Sequence, residues 1–175
     1  MHVLLTRPLE DSIELIKRFK DKGFTVSHLP LIKINKLNYP KLNSSEYKII
    51  IFTSSNAIRN LDTKDFDKNI LCFCVGDATE KTAKQKGFHN TFSAGGNVRN
   101  LRELILQNLE KKTEKILYIS GELVSYDLDK DLIKEGLNVQ RLISYNVSHI
   151  DDLSSDFLSK LKKKNSRYCL YLFSK

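Results

Sequence analysis

The sequence is poor in the residues that usually bind metals or form disulfides. It contains three cysteines and four histidines among 175 residues. Cys72 and Cys74 have C-x-C spacing inside an apolar run, and Cys169 stands apart from them. Alternate residues of a strand share a face, so Cys72 and Cys74 could lie side by side, but no further His or Cys completes a ligand set. We therefore expect buried free thiols and no metal site.

Several nucleotide-binding and catalytic motifs are also missing. There is no G-x-G-x-x-G after a strand, no Walker A sequence, no H-E-x-x-H and no G-x-S-x-G. The sequence gives no support to a bound nucleotide, a catalytic metal or a serine triad. An activity without a cofactor is expected.

Long apolar runs are absent as well. No segment approaches the roughly 20 apolar residues that a transmembrane helix needs. The segment that follows Met1 has no basic region leading into a long apolar stretch, as a secretory signal would have. We expect a cytoplasmic protein with no membrane contact.

The net charge is positive, at a formal +8, but its distribution does not favour nucleic acid. The lysines are scattered over predicted helix surfaces, and only residues 162–164 form a run. No aromatic residues interleave with this run, as they do on surfaces that bind single strands. We expect no nucleic-acid partner, whereas a positive field would suit a small polyanionic substrate by raising its local concentration.

Apolar β-rich runs alternate with amphipathic helical stretches. This alternation predicts the α/β class, with parallel sheets, helices on their faces and right-handed crossovers. Gly23, Gly87 and Gly136 follow charged last turns, where a left-handed residue ends a helix. The predicted strands are Val3–Thr6, Phe24–Leu29, Tyr47–Thr53, Ile70–Val75, His89–Phe92, Lys115–Ile119, Asn138–Ser144 and Tyr168–Phe173, and the predicted helices are Leu9–Lys22, Asn56–Leu61, Ala78–Lys86, Val98–Leu109, Tyr126–Glu135 and Ser154–Lys164.

Two stretches predict crossings between domains. Residues 30–45 are rich in Asn, Lys, Ser and Pro, and a second crossing is expected within residues 145–155. Two crossings predict a discontinuous first domain. Aligning Gly23 with Gly136 without a gap places Val3 on Ile116, which suggests two similar βαβ units, although any two such units could agree this well.

The residues that follow each predicted strand could hold anions. In open α/β sheets, ligands bind beyond the carboxyl ends of the strands, where helix N-termini present free N–H groups. Helix N-capping is the alternative role for each Ser or Thr there, and Arg7 could pair with Glu10 instead of a ligand. These segments at the carboxyl ends of the strands, the strand exits, are rich in hydroxyls and glycine and contain one Arg. They are Thr6-Arg7-Pro8, Thr53-Ser54-Ser55-Asn56, Gly76-Asp77-Ala78-Thr79 and Ser120-Gly121-Glu122.

Several segments resemble the uroporphyrinogen-III synthase family in order and spacing. Residues 3–8 (VLLTRP) are similar to the family's opening, and residues 51–58 (IFTSSNAI) to its F-T-S-x-N-A-V segment. Residues 75–79 (VGDAT) resemble its V-G-x-x-T element, and residues 117–122 (LYISGE) its L-Y-x-x-G segment. Residues 142–145 (LISY) are similar to the strand that ends in its functional tyrosine. Each motif alone is weak, but their order covers essentially the whole chain.

The resemblance implies a fold of two parallel-sheet α/β domains joined by a two-stranded linker ladder, with the active site between the domains. On this chain the first domain would be 1–31 plus 150–175, the linkers 32–37 and 144–149, and the second domain 38–143. A monomer is expected. Family members continue for about 50 residues beyond the segment that ends at Ser174, so we expect a discontinuous and incomplete first domain.

The implied activity is a cyclising lyase reaction of tetrapyrrole and haem biosynthesis. Hydroxymethylbilane would be closed to uroporphyrinogen III, with loss of water and inversion of ring D, and without a cofactor. Tyr145 matches the family tyrosine proposed as general acid. A strand tyrosine packed against the linker is the alternative.

The resemblance also implies which residues contact the substrate. Some relatives carry Arg where Ser120 stands, so one cationic contact fewer is expected. Two alternatives stay open: a truncated, inactive remnant that binds tetrapyrrole weakly or not at all, and an unrelated anion-binding module. The implied contacts are Arg7, Thr53, Ser54, Ser55, Asn56, Gly76, Asp77, Thr79, Ser120 and Ser174.

Overall fold

The protein is a mixed α/β structure with mostly parallel strands, which confirms the predicted class. The computed structural model describes residues 2–109, 114–150 and 168–171, the last four by their backbone alone. In chain order, the elements are β1 (His2–Leu5), α1 (Leu9–Asp21), β2 (Thr25–His28), β3 (Ile32–Lys36), a 3-10 turn (Ser44–Glu46), β4 (Ile49–Phe52), α2 (Ser55–Arg59), β5 (Leu71–Cys74), α3 (Asp77–Gln85), β6 (Thr91–Ser93), α4 (Val98–Asn108), β7 (Lys115–Gly121), α5 (Leu128–Lys134), β8 (Asn138–His149) and β9 (Tyr168–Tyr171).

The chain divides into two compact units. One comprises Met1–Asn35 with Val147–Lys175, and the other Lys36–Asn146. Strands β3 and β8 carry the chain from one unit to the other. The predicted domain and linker boundaries, at 31/32, 37/38, 143/144 and 149/150, stay a prediction. The predicted helix at 154–164 and the predicted strand end at 172–173 lie outside the described residues.

The first unit contains a three-stranded parallel sheet in the order β2-β1-β9. The register pairs Val3 with Val26 on one side and with Cys169 on the other. All four residues of β1 are buried because this strand is the central one. The βαβ unit of β1, α1 and β2 therefore has the form that the sequence predicted.

The second unit contains a six-stranded sheet in the order β3-β8-β7-β4-β5-β6. Strands β8, β7, β4, β5 and β6 are parallel. Strand β3 runs antiparallel beside β8, since the Leu37 N–H donates to the Ser144 carbonyl and the Ile150 N–H to the Leu31 carbonyl, both at 3.0 Å. The two predicted linkers, which the resemblance implied to be a two-stranded ladder, thus lie largely in β3 and β8.

Strand β4 lies at the centre of the larger sheet and is apolar throughout. Its four residues are at most 1% exposed, because helices cover both faces. Ile49 and Ile51 pack in one cluster with residues of α4 and α5, such as Leu101 and Leu132. Continuous apolar strands of this kind are typical of parallel sheets covered on both sides. Replacing one of these isoleucines by alanine would cost about 2–5 kcal/mol.

Three helices end in the same way, as their glycines predicted. Gly23, Gly87 and Gly136 have φ values of 78°, 91° and 87°, in the left-handed region. After α1, the Gly23 N–H donates to the Lys20 carbonyl and the Phe24 N–H to the Phe19 carbonyl. This pattern is a Schellman motif, which satisfies the last carbonyls of the helix, and it recurs after α3 and α5.

Helix α5 begins two residues later than predicted. The Leu128 N–H donates to the Tyr126 carbonyl at 2.9 Å, and Asp127 has φ −78° and ψ 65°. These angles are those of an inverse γ-turn, which the chain makes before the helix can start.

Among the described residues, no helix has the length and apolarity to cross a bilayer.

Candidate active site

The carboxyl ends of the parallel strands in the larger sheet bring four chain segments to one edge. The register places Phe52 of β4 beside Cys74 of β5 and Ile119 of β7. Cys74 in turn pairs with Ser93 of β6. The residues that follow these strands therefore lie side by side. Among the exits chosen from sequence, those after β4, β5 and β7 are brought together here.

The exit of β4 carries hydroxyls with defined partners. The Thr53 and Tyr118 hydroxyl oxygens are 3.2 Å apart. Ser54 is the N-cap of α2, since its side chain accepts a hydrogen bond from the Asn56 N–H at 3.2 Å. The capping role considered for these residues is thus present at Ser54. The Asn56 side-chain oxygen accepts from the Arg59 guanidinium at 2.8 Å.

Ser55 links the exit of β4 to α3. Its hydroxyl donates to the Ala78 carbonyl at 3.2 Å and accepts from the Thr82 hydroxyl at 3.1 Å. These bonds fix the first turns of α2 and α3 relative to each other. The N-terminal ends of two helices are therefore held side by side at this edge, where backbone N–H groups favour an anion.

The exit of β5 is built on close backbone contact. A Cβ placed on Gly76 would lie only 2.9 Å from the Cα of Gly96, so there is no room for a side chain at Gly76. The Asp77 carboxylate accepts from the Ser93 hydroxyl at 2.6 Å. Thr79 is 5% exposed, and its N–H donates to the Gly76 carbonyl. These contacts hold the exits of β5 and β6 together.

The exit of β7 is tied down by a guanidinium from β8. Arg141 Nε donates to the Ser120 hydroxyl at 2.8 Å, and Nη2 donates to the carbonyls of Gly121 and Glu122 at 2.9 and 3.0 Å. Ser120 is fully buried and its own hydroxyl donates to the Gly121 carbonyl. A cation therefore does lie at this exit, contributed by β8 rather than by position 120. The assignment of Ser120 as a substrate contact stays a prediction.

Tyr145 lies against the exit of β7. A Cβ on Gly121 would meet the Tyr145 ring at 2.7 Å and its hydroxyl at 2.9 Å. The Glu122 N–H donates to the Tyr145 carbonyl at 2.9 Å. Tyr145 is only 2% exposed. The absence of a side chain at Gly121 is what admits the ring.

A β-bulge determines where Tyr145 points. Along β7 and β8, Ser120 pairs with Ile143 but Gly121 pairs with Tyr145, so the register slips by one residue at Ser144. Leu142 and Ser144 are buried while Ile143 is 38% exposed, and regular alternation would leave Tyr145 on the side of Ile143. Because of the bulge, Tyr145 is buried instead. Bulges often redirect a side chain beside an active site.

Tyr118 lies beneath the guanidinium. Its ring centroid is 6.0 Å from Arg141 Cζ, and the ring is 1% exposed. Burial raises the pKa of the Tyr118 phenol above its ordinary value, so the hydroxyl stays neutral at physiological pH. A neutral phenol can keep its hydrogen bond with Thr53. Tyr118 thus joins the exits of β4 and β7.

Arg7 and Ser174 belong to the first unit. The Arg7 guanidinium is 3.4 Å from the Asp11 carboxylate, one helical turn further on. The pairing with Glu10 considered from sequence stays a prediction. The Arg7 carbonyl accepts a hydrogen bond from the His28 ring at 2.7 Å. Ser174 lies outside the described residues. The proposed substrate contacts of both residues stay predictions.

The edge has no arrangement suited to a metal ion. In the ranges that the structure describes, no group of three or more His, Cys, Asp or Glu side chains converges. The groups at this edge include hydroxyls, backbone N–H groups, the guanidinium of Arg141 and the phenols of Tyr118 and Tyr145, beside the Asp77 carboxylate. Such a set can hold carboxylates and donate a proton.

The sequence model described as "Uroporphyrinogen-III synthase HemD" matches residues 13–175. This range includes the segments that form all the exits of the larger sheet. The chain belongs to the uroporphyrinogen-III synthase family. Among curated proteins, none matches the sequence.

Solved uroporphyrinogen-III synthases share this fold. The enzyme from Helicobacter pylori superposes with a TM-score of 0.62 at 20% identity, over 97% of this chain and 70% of the other. A mutant of the Thermus thermophilus enzyme gives a TM-score of 0.54 at 14% identity, over 86% of this chain and 64% of the other. This chain therefore spans less than two thirds of the second enzyme. At such identities the likeness shows the fold alone.

Sequence reasoning on this member of the uroporphyrinogen-III synthase family missed two parts of the edge. The exit of β6, Ser93–Asn97, follows a strand as the other exits do, and Gly95 and Gly96 have φ values of 77° and 110°. Its Gly-Gly pair was a usable signal. Arg141 had none, because it lies within a strand and its acceptors include two backbone carbonyls.

Proposed function

We propose that this chain cyclises hydroxymethylbilane to uroporphyrinogen III, with loss of water and inversion of ring D. Membership of the uroporphyrinogen-III synthase family supports the proposal. The observation that carries it is the packing of Tyr145 on Gly121, beside exits that present hydroxyls and helix N-termini. The absence of a cofactor and the monomeric state stay predictions.

Tyr145 acts as the general acid in this proposal. The carbon–oxygen bond of the terminal hydroxymethyl group breaks, and the departing oxygen takes the phenol proton to leave as water. The substituted α-carbon of the terminal pyrrole then bonds to the resulting electrophile and gives a spirocyclic intermediate. The bond from this carbon to its old methylene bridge breaks, and that methylene bonds to the unsubstituted α-carbon of the same pyrrole, which inverts ring D. The pyrrole carbon at which the ring finally closes releases a proton, which restores the phenol. Protons therefore balance without a further reagent.

The remaining groups hold the substrate in one geometry. Carboxylates of hydroxymethylbilane bind the N-terminal ends of α2 and α3 and the hydroxyls near Thr53 and Ser55, because oriented N–H groups stabilise anions. The intermediates are intrinsically reactive. Positioning therefore contributes more than a strong catalyst, since the enzyme has to favour ring inversion over direct closure.

The identity of the product tests the activity. The purified chain is incubated with freshly prepared hydroxymethylbilane, and the isomers formed are separated after oxidation to porphyrins. We expect the type III isomer in excess over the type I isomer, which forms spontaneously. Type I alone would leave the second candidate, an inactive chain that binds tetrapyrrole weakly or not at all.

Tyr145→Phe tests the role of the phenol. We expect formation of the type III isomer to slow by about 100-fold or more, as is typical when a general acid is lost. The fold should be kept, because phenylalanine fills the same space against Gly121. Near-normal turnover, with an unchanged circular dichroism spectrum, would remove Tyr145 from the mechanism. Tyr39→Phe is the matched control, since the Tyr39 hydroxyl accepts from the Asp62 N–H away from this edge.

A further inference from the structure

The Arg141 guanidinium makes contacts that a merely solvated arginine does not make. It donates to three acceptors on consecutive residues, the Ser120 hydroxyl and the carbonyls of Gly121 and Glu122, at 2.8–3.0 Å. The rigid planar fork of a guanidinium fits several acceptors at once. The end of β7 and the next residue, 120–122, are therefore fixed relative to β8.

The fixed segment is the surface against which Tyr145 packs. Gly121 lies under the Tyr145 ring, and the Glu122 N–H donates to the Tyr145 carbonyl. A shift of Gly121 or Glu122 would therefore move the phenol. The hydrogen bonds of Arg141 go to residues 120–122, so its effect on Tyr145 passes through residues 121 and 122.

The same guanidinium also packs on Tyr118, the side chain that connects the exits of β7 and β4. It lies over the Tyr118 ring, and the Tyr118 hydroxyl is 3.2 Å from the Thr53 hydroxyl. A cation over an aromatic face is attracted to the ring. The exits of β4 and β7 are thus held together by side chains on one face of the sheet.

We infer that Arg141 is a positioning residue, which holds residues 120–122 so that the Tyr145 phenol keeps one place at the edge. This inference rests on the proposed function of Tyr145. Arg141 does not transfer the proton and need not touch the substrate. Its loss should lower kcat and let more of the type I isomer form, with little change in KM.

Kinetics of Arg141→Met provide the main test. We expect kcat to fall by about 10- to 100-fold, the range that follows when a catalytic group is misplaced by up to about 1 Å. Arg141→Lys should recover only part of the rate, because an ammonium cannot donate to all three acceptors in one plane. A kcat within twofold of the wild type, or a rise in KM alone, would overturn the inference.

Chemical rescue separates positioning from general stability. Millimolar guanidinium ion should raise kcat of Arg141→Ala severalfold, and it should leave the wild type and Tyr145→Phe unchanged. Failure of rescue, in a variant whose thermal midpoint matches the wild type, counts against the inference. Arg102→Met is the matched control. Arg102 is half-buried like Arg141, but it lies on α4 and pairs with the Asp131 carboxylate at 2.5 Å.

A measurement without turnover keeps this inference distinct from the proposed function. In a tyrosine-labelled sample, the ring resonances of Tyr145 are assigned with the Tyr145→Phe variant. We expect them to shift or broaden in Arg141→Met and to stay in place in Arg102→Met. Unchanged Tyr145 resonances would overturn the positioning role even in an inactive chain, whereas wild-type inactivity alone would overturn only the proposed function.

Discussion

Gly76 follows strand β5 and Gly121 is the last residue of strand β7, and both allow a contact that a side chain would prevent. At Gly76 the neighbour is the backbone of Gly96, 2.9 Å from the position of a Cβ. At Gly121 the neighbour is the ring of Tyr145, at 2.7 Å. One exit is thus packed backbone to backbone, and the other backbone to side chain.

The difference suggests a division of labour along one edge. Backbone segments that pack on each other can move only with their strands, so the exits of β5 and β6 provide a fixed frame. A side chain can rotate away from a contact, so the position of Tyr145 depends on what Gly121 and Arg141 permit. We therefore expect changes at Gly76 to act mainly on stability and changes at Gly121 mainly on activity.

Of the two glycine substitutions, Gly121→Ala should give the larger effect on activity. The added methyl group would push the Tyr145 ring away, while the ring's freedom to move limits the cost in stability. We expect kcat for the type III isomer to fall by about tenfold or more, as a displaced catalytic group predicts. The assay with fresh hydroxymethylbilane, run beside a thermal melt, measures both quantities.

A double variant sharpens this prediction. If the loss arises through the phenol, Gly121→Ala should cost no further activity in a Tyr145→Phe background, because the two changes act on the same group. Independent, additive losses would show that the methyl group harms the site by another route.

Gly76→Ala should reverse the pattern. The φ of Gly76 is −170°, which any residue adopts, so the cost comes from the contact with Gly96 alone. Overpacking of this kind costs about 1–3 kcal/mol. Urea denaturation should show that loss in the free energy of unfolding, with the isomer ratio of the remaining folded enzyme nearly unchanged. Equal stability in the variant would contradict a rigid frame at this exit.

The smallest expected effect concerns the chemical reactivity of the two thiols of β5, Cys72 and Cys74. Burial raises the pKa of the Cys74 thiol to about 12, and burial also raises the pKa of Cys72. Both should resist iodoacetamide at pH 8 in the folded protein and react after unfolding in urea, as peptide mapping by mass spectrometry would show. Rapid modification of the folded chain at Cys74 would mean that strand β5 opens readily.

The raised pKa values of these thiols also predict how the free energy of unfolding depends on pH. A raised pKa in the folded state means that the protonated thiol is favoured there. The thiol's contribution to the free energy of unfolding is therefore fully present below the ordinary thiol pKa of 9.0. It should be lost as the pH rises from 9.0 towards 12. Cys74→Ala should weaken this alkaline loss, which denaturation at pH 8 and pH 10 would measure.

The sequence predicted those features that depend on local chemistry. The Schellman ends follow from Gly23, Gly87 and Gly136, and the buried character of β4 follows from its run of apolar residues. The exits of β4, β5 and β7 followed from the rule that ligands bind beyond the carboxyl ends of parallel strands.

Other features depend on contacts between residues far apart in the chain. Nothing near Gly76 indicates that Gly96 will lie against it, and an arginine within a strand gives no sign that carbonyls on the neighbouring strand will accept its hydrogen bonds. The bulge was hidden too, because Leu142–Tyr145 reads as ordinary strand sequence. The roles of Arg141 and the orientation of Tyr145 therefore required the structure.

The orientation of Tyr145 depends on the one extra residue that the bulge at Ser144 places in β8. Side chains along a strand alternate between two faces, so a single inserted or deleted residue inverts the parity of everything that follows. Deleting Ser144 would restore even pairing with β7 and would also advance residues 145–149 by one place beside β3. The number of residues in β8, and not only their identity, thus determines on which face of the sheet Tyr145 lies.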